Sequence, residues 1–205
     1  MRPSLPKLQK LAEFERPTAL DIVANVQSFS HQGAIIFAVS WGDLAADDVV
    51  VRIQSPCLFG ESFGVNSCDC AQQLHDAMAL GREAGRFLLI YLSHQEGRGH
   101  GMQTKIEAIA MEANEGLEMP EVFYRKGLEL DLRSYGVAAA VIARLVGDHR
   151  IRLLTNNPKK LDELREYGID VTRQELIVKN PTPECRRYLD SKRREMGHML
   201  PEHYD

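Results

Sequence analysis

Three cysteines that lie close together are the residues of this chain best suited to chemistry. Cys57 is followed after ten residues by Cys68, Asp69 and Cys70, whereas Cys185 lies far along the chain. Three thiolates can hold a zinc ion and leave its fourth position open to water, as in catalytic rather than structural zinc sites. Because such a site activates water at neutral pH, the spacing predicts a hydrolase.

Other interpretations of these cysteines stay open from the residues alone. Intracellular cysteines are often small buried side chains, and a disulfide needs an oxidising compartment. Shared burial does not readily explain Cys68 and Cys70, since residues two apart point to opposite faces of a strand. A closed four-cysteine site that includes Cys185 is the main alternative to the open site.

A glycine-rich loop, His94 to Gly101, is a second candidate for binding. Its three glycines at alternate positions allow backbone amides to approach an anion closely. Arg98 can bind a phosphate through two hydrogen bonds, and Glu96 can accept from the amide edge of a guanine-like base. An ordinary charged surface turn is the alternative interpretation.

Two further clusters combine polar and charged side chains. The segment from Thr155 to Lys160 offers hydroxyl, amide and ammonium donors where a helix begins, which is typical of an anion site. A helix cap followed by solvated lysines is the alternative. Asp131 and Arg133 could be a cap and a surface arginine, or a proton acceptor and a phosphate clamp if both faced a metal.

Charge and hydropathy exclude several classes of function. Acidic and basic residues are interspersed and the formal net charge is −4, so there is no basic surface predicted for nucleic acid and no polybasic membrane anchor. The N-terminal stretch lacks the apolar core of a signal peptide, and Phe87 to Leu92 is too short to span a bilayer. We therefore expect a cytoplasmic protein, in which thiols stay reduced.

Strands and helices alternate along the chain, which predicts an α/β fold. In such folds ligands gather at the carboxyl ends of strands, and both the glycine loop and the Thr155 segment follow a predicted strand. The predicted strands are Ala34 to Val39, Val49 to Ile53, Phe87 to Leu92, Ile151 to Leu154 and Leu176 to Val178. The predicted helices are Cys70 to Ala84, one marked by Ile106 and Ala113 that ends near Gly116, Asp131 to Leu145, one beginning at Pro158, and Glu184 to Met196.

The order of these motifs resembles the GTP cyclohydrolase II family of riboflavin biosynthesis. The matched core is 51–200 of a single expected domain spanning 1–205, with 1–50 as an N-terminal part outside that core. The residues that carry the resemblance are Arg52, Ser55, Cys57, Gly60, Cys68-Asp69-Cys70, Gln73-Leu74, Gln95-Glu96-Gly97-Arg98, Gly101, Asp131, Arg133, Leu153 to Lys160, Tyr188 to Asp190, Lys192 and Met196-Gly197-His198.

The resemblance implies a mixed sheet with flanking helices and a homodimer that acts on GTP. It implies zinc held by Cys57, Cys68 and Cys70, with Mg²⁺ accompanying the triphosphate, and assigns no role to Cys185. By position, Asp131 and Arg133 resemble the catalytic pair; we expect Arg133 to stabilise phosphate charge, because a guanidinium is almost never deprotonated. The positions that resemble the family's nucleotide-binding set are Arg52, Gln73, Glu96, Gly97, Arg98, Thr155 and Lys160.

Several positions depart from the family pattern. Four residues after Lys105, where the family usually has a catalytic tyrosine, this chain has Ile109. Before and after Cys57 the usual residues are replaced by Gln54, Pro56 and Phe59. Three hypotheses follow: a cyclohydrolase that opens the guanine ring but releases little formate, an ordinary riboflavin enzyme in which Tyr135 or Tyr124 takes the tyrosine's role, and a nucleotide-binding protein without turnover.

Overall fold

The computed structural model describes residues 2–204, which form an α/β structure built on one mixed sheet. The α/β prediction is therefore confirmed. The strands are β1 (Gln9–Pro17), β2 (Val23–His31), β3 (Ala34–Trp41), β4 (Val49–Gln54), β5 (Phe87–Leu92), β6 (Ile151–Leu154) and β7 (Val171–Gln174). The helices are α1 (Leu58–Glu61), α2 (Cys70–Ala84), α3 (Gly101–Glu115), α4 (Met119–Arg125), α5 (Gly136–Leu145), α6 (Pro158–Glu166) and α7 (Pro183–Met196).

The sheet has the strand order β1-β2-β3-β5-β4-β6-β7. Strands β1, β2, β3 and β5 pair antiparallel, whereas β5, β4, β6 and β7 pair parallel. Every residue of β4 is buried, as expected of a strand in the parallel part of a sheet that is covered on both faces.

The chain divides into two compact units. The sheet unit comprises 2–54, 74–93 and 134–176, and the helical unit comprises 55–73, 94–133 and 177–204. The expectation of a single domain stays a prediction.

The core of the sheet unit forms where α2 packs against the sheet. Trp41 and Phe87 stack with ring centroids 4.6 Å apart, and Ala77 of α2 is fully buried among them. The Trp41 indole donates to the Gly81 carbonyl at 3.1 Å. A Cβ at Gly81 would lie 2.4 Å from the Phe87 ring, so this helix requires glycine at its contact with the sheet.

The helical unit has a smaller core of its own, in which α3 and α4 pack together around Ala108, Val122 and Phe123. Ala108 is the buried residue of α3, whereas Ile106 is 50% exposed.

Among the described residues, no helix is both long and apolar enough to cross a membrane.

Two predicted elements were wrong. The helix predicted from Asp131 begins at Gly136 instead, because the Asp131 carboxylate accepts from the Arg133 backbone N–H at 2.9 Å and so favours a turn. The strand predicted at Leu176 to Val178 is irregular, and β7 lies earlier, at Val171–Gln174. Leu176 is buried, but its backbone N–H bonds to the Asn156 side chain and not to a neighbouring strand.

Candidate metal centre

Three thiols of the helical unit come together. Among residues 2–204, the side chains that could share one metal ion are Cys57, Cys68 and Cys70, whose sulfurs lie within 4.8 Å of one another. The Sγ atoms of Cys57 and Cys68 are 3.7 Å apart. Zn–S bonds of about 2.3 Å in a tetrahedral site place sulfurs about 3.8 Å apart, so the thiols fit zinc. Cys185 is buried in α7, outside this group.

The loop after Cys57 leaves room for an ion. A Cβ at Gly60 would lie 3.0 Å from the sulfur of Cys68 and 3.4 Å from that of Cys57. The Cys57 N–H donates to the Glu61 carboxylate at 3.1 Å, and the Glu61 N–H donates back to the Cys57 carbonyl at 2.8 Å. These bonds fix the first turn of α1 and so hold Gly60 against the thiols.

The three thiols are electrostatically coupled. Hydrogen bonds from Cys68 and Cys70, and then the charge of Lys105, hold the pKa of Cys57 far below its ordinary value. The same hydrogen bonds and burial raise the pKa values of Cys68 and Cys70. Metal binding would displace the remaining thiol protons, because a cysteine binds a metal as the thiolate.

Lys105 of α3 lies beside the thiols. Its ammonium donates to Cys57 Sγ at 3.2 Å and to Glu96 Oε1 at 2.5 Å. Burial alone would lower the pKa of Lys105, but the hydrogen bond to Glu96 and the charge on Cys57 raise it above its ordinary value. The other Glu96 oxygen accepts from the Leu58 N–H at 3.2 Å. Hydrogen bonds to both of its oxygens thus orient the Glu96 carboxylate.

A second lysine approaches the cysteines from α7. Lys192 lies 3.3 Å from Asp69, which separates Cys68 from Cys70, and its ammonium sits 4.2 Å from the centre of the Tyr188 ring. Burial would lower the pKa of Lys192, but Asp69 raises it above its ordinary value. Asp69 also accepts from the Gln73 side-chain amide. The predicted residue Gln73 is therefore joined to the segment from Cys57 to Cys70, which we call the metal loop.

Arg98 is buried in the glycine loop. Its backbone is left-handed, with φ +60°. Its guanidinium carbon lies 5.4 Å from the centre of the Phe123 ring and 5.9 Å from the centre of the Tyr188 ring. Nη1 is 3.5 Å from the Leu130 carbonyl, while Nη2 is buried without a hydrogen-bond partner. An orphaned buried donor is costly unless a further acceptor binds it.

Asp131 and Arg133 form a two-bond ion pair. The guanidinium donates from Nε and Nη2 to the two carboxylate oxygens, each at 2.8 Å. Both side chains are largely buried. The two residues lie in a turn and not on a helix, and their roles as proton acceptor and phosphate clamp stay predictions.

The other three predicted nucleotide-binding residues lie in the sheet unit. Arg52 is buried and donates to Gln54 Oε1 at 2.9 Å and to the Leu154 carbonyl at 3.1 Å. The Lys160 ammonium is also buried and donates to the Ile53 carbonyl at 2.8 Å, so it is not the solvated lysine of the alternative interpretation. Thr155 Oγ1 accepts from the Asn157 N–H, and Asn157 caps α6.

Two of the residues that differ from the family pattern contact charged side chains of the predicted site. Phe59 places its ring 5.5 Å from the Lys105 ammonium, and Gln54 orients Arg52.

Ile109 lies one turn after Lys105 on α3 and is partly buried. Of the tyrosines considered as substitutes, Tyr124 is 60% exposed, and Tyr135 is fully buried with its hydroxyl 3.4 Å from the Asn157 amide.

Comparison with known proteins bears on this arrangement. The family model for GTP cyclohydrolase II matches residues 9–175. The chain belongs to the GTP cyclohydrolase II family. The resemblance seen in the motifs is thereby confirmed, and the enzyme class of the family is hydrolase.

Individual family members cover the chain to different extents. GTP cyclohydrolase-2 of Streptomyces coelicolor is 40% identical over 174 residues, which are 84% of this chain and 78% of that protein. Riboflavin biosynthesis protein RibBA of Chlorobium phaeovibrioides is 35% identical over 94% of this chain and 47% of its own length. Monofunctional riboflavin biosynthesis protein RIBA 3 of Arabidopsis thaliana is 40% identical over 75% of this chain and 30% of its own. This chain thus spans less than half of the last two.

Among solved structures, a two-domain 3,4-dihydroxy-2-butanone 4-phosphate synthase from A. baumannii aligns with 83% of this chain and 40% of that chain. The identity is 15% and the TM-score 0.47, which are too low to support an inference about this protein.

Proposed function

We propose that this protein is a zinc-dependent GTP cyclohydrolase II of riboflavin biosynthesis. It would open the imidazole ring of GTP at carbon 8 and release formate and pyrophosphate, leaving a diaminopyrimidinone ribosyl phosphate. The observation that carries the proposal is the cluster of three thiols within 4.8 Å, in a chain of this family. An open three-thiolate site supports hydrolysis, whereas four protein ligands would support a structural role.

The metal would be held by Cys57, Cys68 and Cys70. When bound, zinc supplies a Lewis acid that activates water for attack at neutral pH. Gly60 keeps the space beside the sulfurs open, since a Cβ there would lie 3.0 Å from Cys68 Sγ. Lys105 partly neutralises the thiolate of Cys57 through its hydrogen bond.

The neighbouring charged groups of the helical unit suit a purine nucleotide. Glu96, held in place by Lys105, would accept hydrogen bonds from the amide edge of guanine. Arg98 has an unpartnered buried Nη2 that would donate to a phosphate oxygen. Asp131 would move a proton, and the paired Arg133 would stabilise the negative charge that develops at the α-phosphate.

The other assignments are proposed on the family resemblance. Arg52, Thr155 and Lys160 in the sheet unit, and Gln73 and Gly97 in the helical unit, would contribute to nucleotide binding. We also propose that Mg²⁺ accompanies the triphosphate, that the protein is a homodimer and that it works in the cytoplasm.

The proposal is tested by incubating zinc-loaded protein with GTP and Mg²⁺. Loss of the guanine absorbance, formate and pyrophosphate are measured separately, with Cys57→Ser as the metal-deficient control. We expect all three signals from the unmodified protein and no ring opening from the variant. GTP left intact by fully zinc-loaded protein would exclude the proposed activity and favour a nucleotide-binding protein without turnover.

A second candidate function is ring opening without formate release, and Ile109 favours it. Isoleucine cannot donate a proton, and this position lies one helical turn from Lys105, which contacts the metal-binding thiol. Hydrolysis of the formamide needs a protonated leaving amine, so loss of a general acid affects this step more than ring opening. One formate per GTP consumed supports the first function; pyrophosphate without formate supports the second.

A further inference from the structure

Lys105 connects two groups that have different tasks in the proposed reaction. Its Nζ lies 3.2 Å from Cys57 Sγ, a proposed metal ligand, and 2.5 Å from Glu96 Oε1, the proposed acceptor for the base. The side chains of Lys105 and Glu96 are 15% and 11% exposed. A compact ammonium with three donors can serve both acceptors simultaneously.

The surroundings hold this ammonium in place. The Phe59 ring lies 5.5 Å away on the metal loop, at a distance suited to a cation–π contact. On the glycine loop, Gly97 has φ +61°, and a Cβ there would lie 3.1 Å from Lys105 Cβ. Glycine therefore avoids both a tight contact with α3 and the strain that a side chain has in this backbone conformation.

The metal loop and the glycine loop are also joined directly. Glu96 Oε2 accepts from the N–H of Leu58, the residue after Cys57. A shift of Glu96 would therefore move both the ammonium and the backbone that carries the ligand. The three contacts form a closed circuit of Cys57, Lys105, Glu96 and Leu58.

We propose that Lys105 is a positioning residue that couples metal binding to recognition of the purine base. Its hydrogen bond to the Cys57 thiolate orients that ligand, as groups behind metal ligands commonly do. Its ion pair with Glu96 fixes the carboxylate that meets the base. The part of this proposal that concerns base recognition rests on the proposed function, whereas the part that concerns metal binding does not.

The test measures zinc affinity of the full chain by competition with a chromophoric chelator. Loss of a group behind a metal ligand typically weakens binding about 10- to 100-fold, and we expect this of Lys105→Met. Glu96→Gln, which removes no ligand, should also weaken zinc binding because it releases Lys105. The matched control is Lys126→Met, which breaks the more exposed pair of Lys126 with Glu107 in the same unit and should leave zinc affinity unchanged.

A double variant separates coupling from general damage. If the two side chains act through one circuit, Lys105→Met with Glu96→Gln should weaken zinc binding no more than Lys105→Met alone. Lys105→Arg should recover part of the affinity, and far-ultraviolet circular dichroism should show that all variants are folded. Zinc binding by Lys105→Met as tight as that of the unmodified protein, or additive losses, would overturn the proposal.

GTP binding to the zinc-loaded proteins tests the other half. We expect Lys105→Met and Glu96→Gln both to raise KM for GTP, with the larger rise in Glu96→Gln because it alters the carboxylate that meets the base, and Lys126→Met to leave KM unchanged. An unchanged KM in Lys105→Met would overturn the role in base recognition. If the unmodified zinc-loaded protein neither binds nor converts GTP, the proposed function fails and base recognition with it. The chelator titration still decides the role of Lys105 at the metal.

Discussion

Removing one partner of the buried ion pair between Lys192 and Asp69 should measurably destabilise the fold around the cysteines. The charged atoms of this pair are 3.3 Å apart, and the two side chains are 13% and 1% exposed. At an effective dielectric constant of about 20, charges at this distance attract by about 5 kcal/mol. Lys192→Met removes this attraction and leaves the Asp69 carboxylate buried with the Gln73 amide as a remaining donor.

The expected loss in free energy of unfolding is about 3 kcal/mol. Breaking a buried pair by removing one partner costs about 3–5 kcal/mol, and the retained Gln73 bond favours the lower value. Arg125→Met is the matched control, because it breaks the pair of Arg125 with Glu115, whose side chains are 58% and 47% exposed. An exposed pair contributes about 0–1 kcal/mol.

Urea unfolding measures both variants, once with saturating zinc and once with a chelator, since a ligand of the folded state adds to apparent stability. Adding Asp69→Asn to Lys192→Met should restore part of the loss, because no unpaired charge then remains buried. A Lys192→Met protein within 1 kcal/mol of the unmodified protein in chelator, equal to the Arg125→Met control, would refute this reasoning.

Three further predictions concern the site. Burial raises the pKa of Cys185 to about 12, so this thiol should stay protonated and unreactive towards a disulfide reagent at pH 8–9, and Cys185→Ser should retain zinc that Cys57→Ser loses; zinc release from Cys185→Ser, measured by metal analysis, would contradict the assignment. Arg133→Lys should lower kcat/KM for GTP about 10- to 100-fold, because a hydrogen bond to a charged group contributes about 1.5–3 kcal/mol and the planar fork that pairs with Asp131 is lost; steady-state kinetics with unchanged parameters would exclude this role. If formate release by the unmodified protein is low, Ile109→Tyr should raise the formate-to-pyrophosphate ratio, and an unchanged ratio in a folded, zinc-loaded variant would count against a missing general acid.

Elements with local signals could be predicted from the sequence. The strands β5 and β6 follow from short aliphatic runs, and α2 and α6 from an apolar face, a terminal glycine and Pro158 in the first turn. The strand β1 could not, because all nine of its residues are exposed and charges occupy both faces. It is a strand through its pairing with β2, which the sequence pattern does not encode locally.

The candidate site follows the same division. The three cysteines could be predicted as a metal group because their donors lie close in sequence. The contacts of Lys105 and Lys192 could not be predicted, since each lysine approaches from a separate helix and a helical lysine is usually solvated. The predicted start of α5 was wrong for a similar reason, because Asp131 bonds to Arg133 and not to a helix terminus.

X-ray absorption at the zinc edge of the purified protein tests the central claim most directly. An open site of Cys57, Cys68 and Cys70 predicts one zinc per chain with three sulfur neighbours at about 2.3 Å and one lighter neighbour at about 2.0–2.2 Å. The fit should change to two sulfurs, or the metal be lost, in Cys68→Ser. Four sulfur neighbours, or zinc without sulfur neighbours, would contradict the account of a catalytic three-cysteine centre.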